Sequence, residues 1–420
     1  MTTRRTLLGQ ITTVAASAAL SNSLFSSIAA QAQPPAGAPP RAPGQADEMT
    51  TNITQQRRRM PGYDFGPLPT KLPPEAEAVK GKNSLQAHAS KFKILAGAAV
   101  PVRALQADPV FQELVADQYG ILVPENELKM VALRPSLDKF DFTASDALLA
   151  FTKQHGMKLR GHTLVWHGSV PQWVRQQSST LDLRKVMVEH IQTVMGHYKG
   201  QIQAWDVVNE AILPSDGDPN GMRKTVWFNA MGPEYIDIAF KTAREADPNA
   251  KLSYNDYGVE YDKEDQAEKR RLILAMVRRM KAANVPIDAI GVQAHIRVGF
   301  NQSMGTGLKE YIEAIRQMGL DVYVTELDVN EDDVTYDDVE KRDAAVADTY
   351  RQFLTLMLSN PATKAVLTWG VTDRRTWLNG FNGHSQKFPN RPQRCLPFDA
   401  AYKPKPAFFA IRDSFDHKKI

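Results

Sequence analysis

Two short apolar-rich runs end in carboxylic acids. Ile202 to Val208 gives way to Asn209 and Glu210, and a breaker-rich loop follows with Pro214, Gly217 and Pro219. Tyr323 to Val329 is a second such run and carries Glu326 near its end. The C-terminal end of a buried parallel strand is where a barrel enzyme keeps its chemistry. Two carboxyl groups so placed suit cleavage of a glycosidic bond, one giving a proton and the other acting on the sugar. The histidines show no His-Glu-x-x-His spacing, so no metal site is expected.

Such side chains need elements to hold them. From about residue 85, short apolar runs alternate with amphipathic stretches. Eight candidate strands cover Lys93–Val100, Gly120–Pro124, Leu159–Trp166, Ala204–Asn209, Lys251–Asn255, Ala289–Ala294, Val322–Leu327 and Ala365–Trp369. Helical patterns fall between them at Leu183–Tyr198, Glu234–Glu245, Glu264–Ala283, Leu308–Met318 and Tyr336–Leu358. In Glu264–Ala283, Leu272, Met276, Val277 and Met280 share one face with Arg and Lys opposite.

Strand-helix alternation over this length calls for an α/β fold with a parallel sheet. Eight repeats fit a closed (β/α)8 TIM barrel of roughly 250 residues or more. A doubly wound open sheet is the competing architecture, but no Gly-x-Gly-x-x-Gly turn follows the first strand. Reading off the strand ends gives Glu125 with Asn126, His162 with Trp166, Asn209 with Glu210, Asn255 with Tyr257, Gln293 with His295, Glu326 with Asp328, and Trp369. Packing alone does not explain polar and aromatic groups at so many ends of one rim.

The chain of 420 residues is long enough for one large domain or two modest ones. Residues 1–32 hold Arg4 and Arg5, no acid, an uncharged run to Ala30 and the small-x-small pattern Ala30-Gln31-Ala32. This reads as an export signal whose paired arginines resemble a twin-arginine head, so a secreted or periplasmic protein is expected. Its loss takes two positive charges from a net +4 and leaves +2, which argues against a nucleic-acid partner. The run is too polar for a stable membrane span, and no later segment is long and apolar enough to be one. The single cysteine, Cys395, forms no internal disulfide. Residues 33–84, rich in proline up to Pro74 and carrying Arg57-Arg58-Arg59, read as a stiff linker, and 85–415 as the catalytic barrel.

WDVVNEAI, VTELDV, GHTLVWH and PENELK together resemble the family 10 glycoside hydrolases, the retaining endo-β-1,4-xylanases. TWGVTDRRTW (Thr368 to Trp377) and LPFDAAYKPKPAF (Leu396 to Phe408) extend the resemblance, which runs from about Leu85 to Asp413. Six motifs in the family's order, set along one predicted barrel, make it specific. The resemblance implies hydrolysis of xylan and xylo-oligosaccharides by a monomer without cofactor.

By the same resemblance Glu210 matches the general acid/base and Glu326 the nucleophile. Glu210 would first hold a proton for the departing oxygen, and a neighbouring carboxylate favours that form. Glu326 would attack the anomeric carbon to form a glycosyl-enzyme ester, with the two carboxyl groups about 5–5.5 Å apart. The ester carries no charge, so Glu210 could then serve as base towards water. His295 would hydrogen-bond Glu326, and Asp328 would orient that imidazole. Asn209 matches the residue that bonds the sugar's 2-hydroxyl.

Glu125, Asn126 and Lys129 match groups that hold the next sugar, and His162 and Trp166 line the pocket of the reacting one. Trp369 and Trp377 match two aromatic walls for flat sugar faces. Gln293 and Asn255 match supporting residues, and Tyr257 stands near the pair. The sequence departs from the family at Met130, where tryptophan is usual, and at Gly168 and Ser169, where a glutamine often follows. A β-1,4-glucanase or mixed xylan/glucan hydrolase on the same barrel is the near rival. A non-catalytic carbohydrate-binding barrel is the rival of another class, and it would be expected to lack one of the two glutamates.

Overall fold

The computed structural model describes residues 63–179, 181–299, 304–379, 388 and 390–417. The expected export signal, residues 33–62 of the expected linker and Arg57-Arg58-Arg59 lie outside the described residues. Among the described residues ten strands occur in chain order: β1 Leu95–Val100, β2 Ile121–Pro124, β3 Lys158–Gly161, β4 Val165–Trp166, β5 Ala204–Asn209, β6 Lys251–Asp256, β7 Ala289–Val292, β8 His295–Arg297, β9 Asp321–Asn330 and β10 Thr363–Thr368. Eight of them form a ring, β1-β2-β3-β5-β6-β7-β9-β10, and β10 pairs back onto β1 with Leu95 opposite Ala365. Every pairing in the ring is parallel. Helices follow the strands and cover the outside, so the fold is the (β/α)8 barrel and not an open sheet.

Side chains alternate between two cores, as strand geometry requires. Ala99, Ile121, Val123, Ala204, Ala289 and Leu367 are among those that fill the barrel's inside. A larger apolar shell, with Leu122, Val207, Phe240 and Ile315, packs between strands and helices. Gly161 matters to that fit, because a Cβ there would overlap the Trp205 indole.

Several element bounds differ from the sequence reading. The expected strand Leu159–Trp166 is interrupted after Gly161, where the His162–Thr163 peptide is cis and Thr163 Oγ1 donates to the Asp206 carbonyl at 2.9 Å. The expected strand Ala289–Ala294 also breaks, and Ala294 has a φ of 64°. The helix expected from Tyr336 begins at Val339, because Asp338 accepts from the Lys341 N–H and so caps it.

Two other corrections concern burial. Tyr63 to Ser84, the end of the expected linker, packs on the barrel with Leu72, Ala76 and Val79 buried. Arg374 anchors this stretch by donating to the carbonyls of Phe65, Gly66 and Pro67. In helix Glu264–Ala282, Lys269 and Arg270 do not face solvent but are buried. Lys269 reaches Asp256 at 2.8 Å, and Arg270 donates to the carbonyls of Val259 and Tyr261. Such pairing is what lets a charge be buried. Among the described residues, no helix is long and apolar enough to cross a membrane.

Candidate active site

The C-terminal ends of the strands bring the two glutamates into one hydrogen-bonded cluster. Glu326, on β9, is buried with 5% of its surface exposed. Asn255 Nδ2 donates to its Oε1 at 2.8 Å, and His295 Nε2 lies 3.3 Å from its Oε2. His295 Nδ1 lies 3.0 Å from Asp328 Oδ1, whose other oxygen accepts from Trp377 Nε1 at 2.7 Å. The imidazole thus spans two carboxylates and needs a proton on each nitrogen to satisfy both.

The electrostatics agree with that arrangement. Burial by itself would lower His295's pKa, but the Asp328 and Glu326 carboxylates raise it well above the usual histidine value. Burial likewise acts to raise the Glu326 carboxyl. The hydrogen bond from His295 and the charges of His162, His295 and Arg160 outweigh it and bring the pKa down to about 2. That favours the carboxylate form, the one a nucleophilic carboxyl needs.

Glu210 follows β5 directly and has a φ of 57°, a left-handed conformation that is uncommon outside glycine. Three side-chain donors hold its carboxyl: Trp166 Nε1 at 2.9 Å to Oε2, Gln293 Nε2 at 3.0 Å and Asn209 Nδ2 at 3.2 Å, both to Oε1. Its backbone is fixed as well, with its N–H on the Asn255 carbonyl and its own carbonyl accepting from Arg223 Nε at 2.7 Å. Tyr257 accepts from Arg223 Nη2 at 3.0 Å, so it supports the backbone of Glu210 through that arginine.

Asn209 and Asn255 join the two halves. Asn255 Nδ2 donates to Asn209 Oδ1 at 2.9 Å, and Thr325 Oγ1 donates to Asn255 Oδ1 at 2.7 Å. The threonine fixes which end of the Asn255 amide faces which partner. The expected residues Asn209, Gln293, His295, Asp328, Asn255 and Trp166 therefore meet in one network around Glu210 and Glu326.

Aromatic rings border this network. Trp369 stands edge-on to His162, with centroids 5.3 Å apart, and Trp377 is 5.2 Å from His295. Trp377 is 39% exposed and so offers a face to a ligand. Lys129, at the end of β2 with Glu125 and Asn126, places its ammonium 5.0 Å from the Trp166 ring and 5.8 Å from that of Trp369. It also donates to Asn126 Oδ1 at 3.2 Å. Met130, one of the departures, is buried in the apolar shell, and Ser169 is buried beside the Trp166 loop.

Several residues near the pair escaped the sequence reading. Asp206 accepts from His162 Nδ1 at 2.8 Å, from Ser253 Oγ at 2.7 Å and from Arg160. His162 Nδ1 in turn lies 4.0 Å from Glu326 Oε1. An acid inside the apolar run Ala204–Val208 was the available signal, since an unpaired carboxylate is not kept in a core. His167 Nδ1 is 3.8 Å from Glu210 Oε2. Burial first, then the Arg223 and Arg175 charges, push its pKa down to about 4, so the ring is neutral near pH 7. Among the described residues, no three His, Cys, Asp or Glu side chains converge as a metal site.

A buried carboxylate held ionised, and a second carboxyl linked to it through two asparagine amides, can carry out double displacement at a sugar carbon. Comparison with known proteins points the same way. The sequence model of glycosyl hydrolase family 10 matches residues 84–414. Endo-1,4-beta-xylanase B of Thermotoga neapolitana is 34% identical over 314 residues, 73% of this chain and 84% of that relative. Endo-1,4-beta-xylanase A of a Caldicellulosiruptor species is 36% identical over 338 residues, 77% of this chain but 46% of that longer relative. The structure resembles the crystal structure of native xylanase 10B from Thermotoga maritima, with a TM-score of 0.70, 33% identity, and coverage of 80% of this chain and 98% of that one. Xylanase 10B from Thermotoga petrophila, solved in complex with xylobiose, matches with a TM-score of 0.70 and 32% identity over 80% of this chain and 98% of that one.

Proposed function

The chain belongs to glycosyl hydrolase family 10, and on that premise we propose that it is an endo-1,4-β-xylanase acting on internal bonds of xylan with retention of configuration. One observation carries the reading: Glu326, held as a carboxylate, shares a continuous hydrogen-bond path with Glu210 through Asn255 and Asn209.

In the first step Glu210 gives its proton to the glycosidic oxygen while a Glu326 oxygen bonds to the anomeric carbon. The C–O bond to the leaving sugar breaks and an ester forms on Glu326. Esterification removes the negative charge beside Glu210, which then takes a proton from water. The resulting hydroxide oxygen displaces Glu326 and restores the original configuration. Trp166, Gln293 and Asn209 keep the Glu210 carboxyl in place through both steps. Trp369, Trp377 and the groups at the end of β2 supply the walls and polar contacts for the sugars on either side.

Export to the periplasm or the exterior belongs to the same proposal. It rests on the Arg4-Arg5 head and the Ala30-Gln31-Ala32 pattern, and a mature N-terminus near residue 33 is its test. Cleavage of xylopentaose, followed by proton NMR, tests the activity. Shorter oligosaccharides from internal cleavage should appear, with the β-anomer formed first. An α-anomer formed first, stepwise loss of single xyloses, or faster turnover of cellopentaose would overturn the reading.

A further inference from the structure

The opposite mouth of the barrel carries a feature that catalysis does not use. A cavity of ≈ 350 Å³ opens among the first residues of the strands, under helix Leu85–Ser90. Lys93, Lys158, Lys251 and Lys364 surround it, and Arg160 lines it from inside the barrel. The only acid in this lining is Asp321, 3.7 Å from Lys251. Among the described residues Lys93 and Lys158 have no ion-pair partner, and the Lys364 ammonium donates to a carbonyl, that of Pro361.

Arg160 is paired within the barrel. Its side chain is 1% exposed, and its Nη2 is engaged by Asp206. Its Nε and Nη1 are buried without a hydrogen-bond partner among the described residues. These atoms have no surface open to the cavity, so the guanidinium offers a ligand there no hydrogen bond. A cleft lined by one sign of charge concentrates the field and draws in an anion. Gln86, Ser90 and Gln203 also line it, and the rest of its wall is apolar, with Ile121, Ala204, Ala365 and the Tyr323 ring.

We propose that the N-terminal mouth of the barrel is a binding site for a small aromatic carboxylate, separate from the sugar site. The carboxylate oxygens meet the lysine rim, and the ring lies against the apolar part of the wall. A few charged groups around a partly apolar cavity are the usual make-up of a small-molecule site. The inference does not depend on the roles given to Glu210 and Glu326, which stand at the other end of the strands.

Titration calorimetry of the full chain with benzoate, at fixed ionic strength, tests it. Benzoate should bind saturably at one site per chain, and inorganic phosphate at least ten times more weakly. The variant Lys158→Ala/Lys364→Ala, altered at two exposed surface positions, should keep its melting temperature and bind benzoate at least ten times more weakly. Absence of saturable binding, equal affinity for phosphate, or unchanged affinity in the double variant would each overturn the proposal.

Discussion

Asn255 donates from Nδ2 to Asn209 Oδ1 at 2.9 Å, across the seam between β5 and β6. The same Nδ2 reaches Glu326, and Asn209 Nδ2 reaches Glu210. Two neutral amides therefore set the relative position of two carboxyl groups more than a hundred residues apart in sequence. Thr325 and Gln293 keep the amides from turning over, since each meets an acceptor oxygen of the pair.

Removing that link should slow the reaction and leave the fold in place. Asn255→Ala deletes a hydrogen bond to a charged acceptor, worth about 1.5–3 kcal/mol. A loss of roughly 10- to 100-fold in kcat/KM on an aryl β-xylobioside is expected. Unaltered kinetics in a folded variant would show that the amide bridge has no part in catalysis.

The two glutamates should be separable by azide. Glu210→Ala, assayed with an aryl xylobioside whose leaving group needs no acid, should be rescued by azide with a β-glycosyl azide as product. Glu326→Gly with azide should instead yield the α-glycosyl azide, because the anion replaces the nucleophile in one displacement. NMR of the products decides, and identical anomers from both variants would contradict the roles assigned.

A pH profile should expose the part played by His295. Glu326 has a depressed folded pKa of about 2 against an ordinary 4.5. Its contribution to folding stability is therefore complete above about pH 4.5 and is lost as pH falls through about 2. His295 has a raised folded pKa, so its contribution is complete below about 6.5 and is lost as pH rises through the raised value. His295→Gln removes the imidazole whose hydrogen bond does most to hold Glu326 down. The acid limb of kcat/KM should move up in pH towards the ordinary carboxylate range. A limb that stays in place would mean that His295 does not set the ionisation of Glu326.

The buried pair Lys269–Asp256 should matter for stability in a different way. Asp256 is raised by burial and pulled back by Lys269. Lys269→Met leaves that carboxylate in the core with its cation gone, a change that costs about 3–5 kcal/mol. The denaturation midpoint should fall accordingly, and Asp256→Asn in the same chain should recover part of the loss. Equal midpoints for the Lys269→Met variant and the parent chain would show that the pair is not a net support of the fold.

What the sequence determined by itself was periodicity and motif. Apolar runs broken by amphipathic stretches identify eight strands and their order, because one face or stripe of each element must be buried. The polar residues at their ends identify the rim, and Asn209, Glu210, His295, Glu326 and Asp328 are legible there as side chains with no packing reason for that place. Bounds were less legible where a local contact decided them, as the Asp338 cap does for helix Val339–Leu358.

Tertiary structure alone decided which charged groups are paired inside. Asp206 between Arg160 and His162, Lys269 turned in to Asp256, and Tyr63 to Ser84 folded back under Arg374 all depend on partners distant in sequence. A charge or a proline-rich stretch reads as solvent-facing until a partner is found for it. That partner is set by the closing of the ring, which no single stretch of residues encodes.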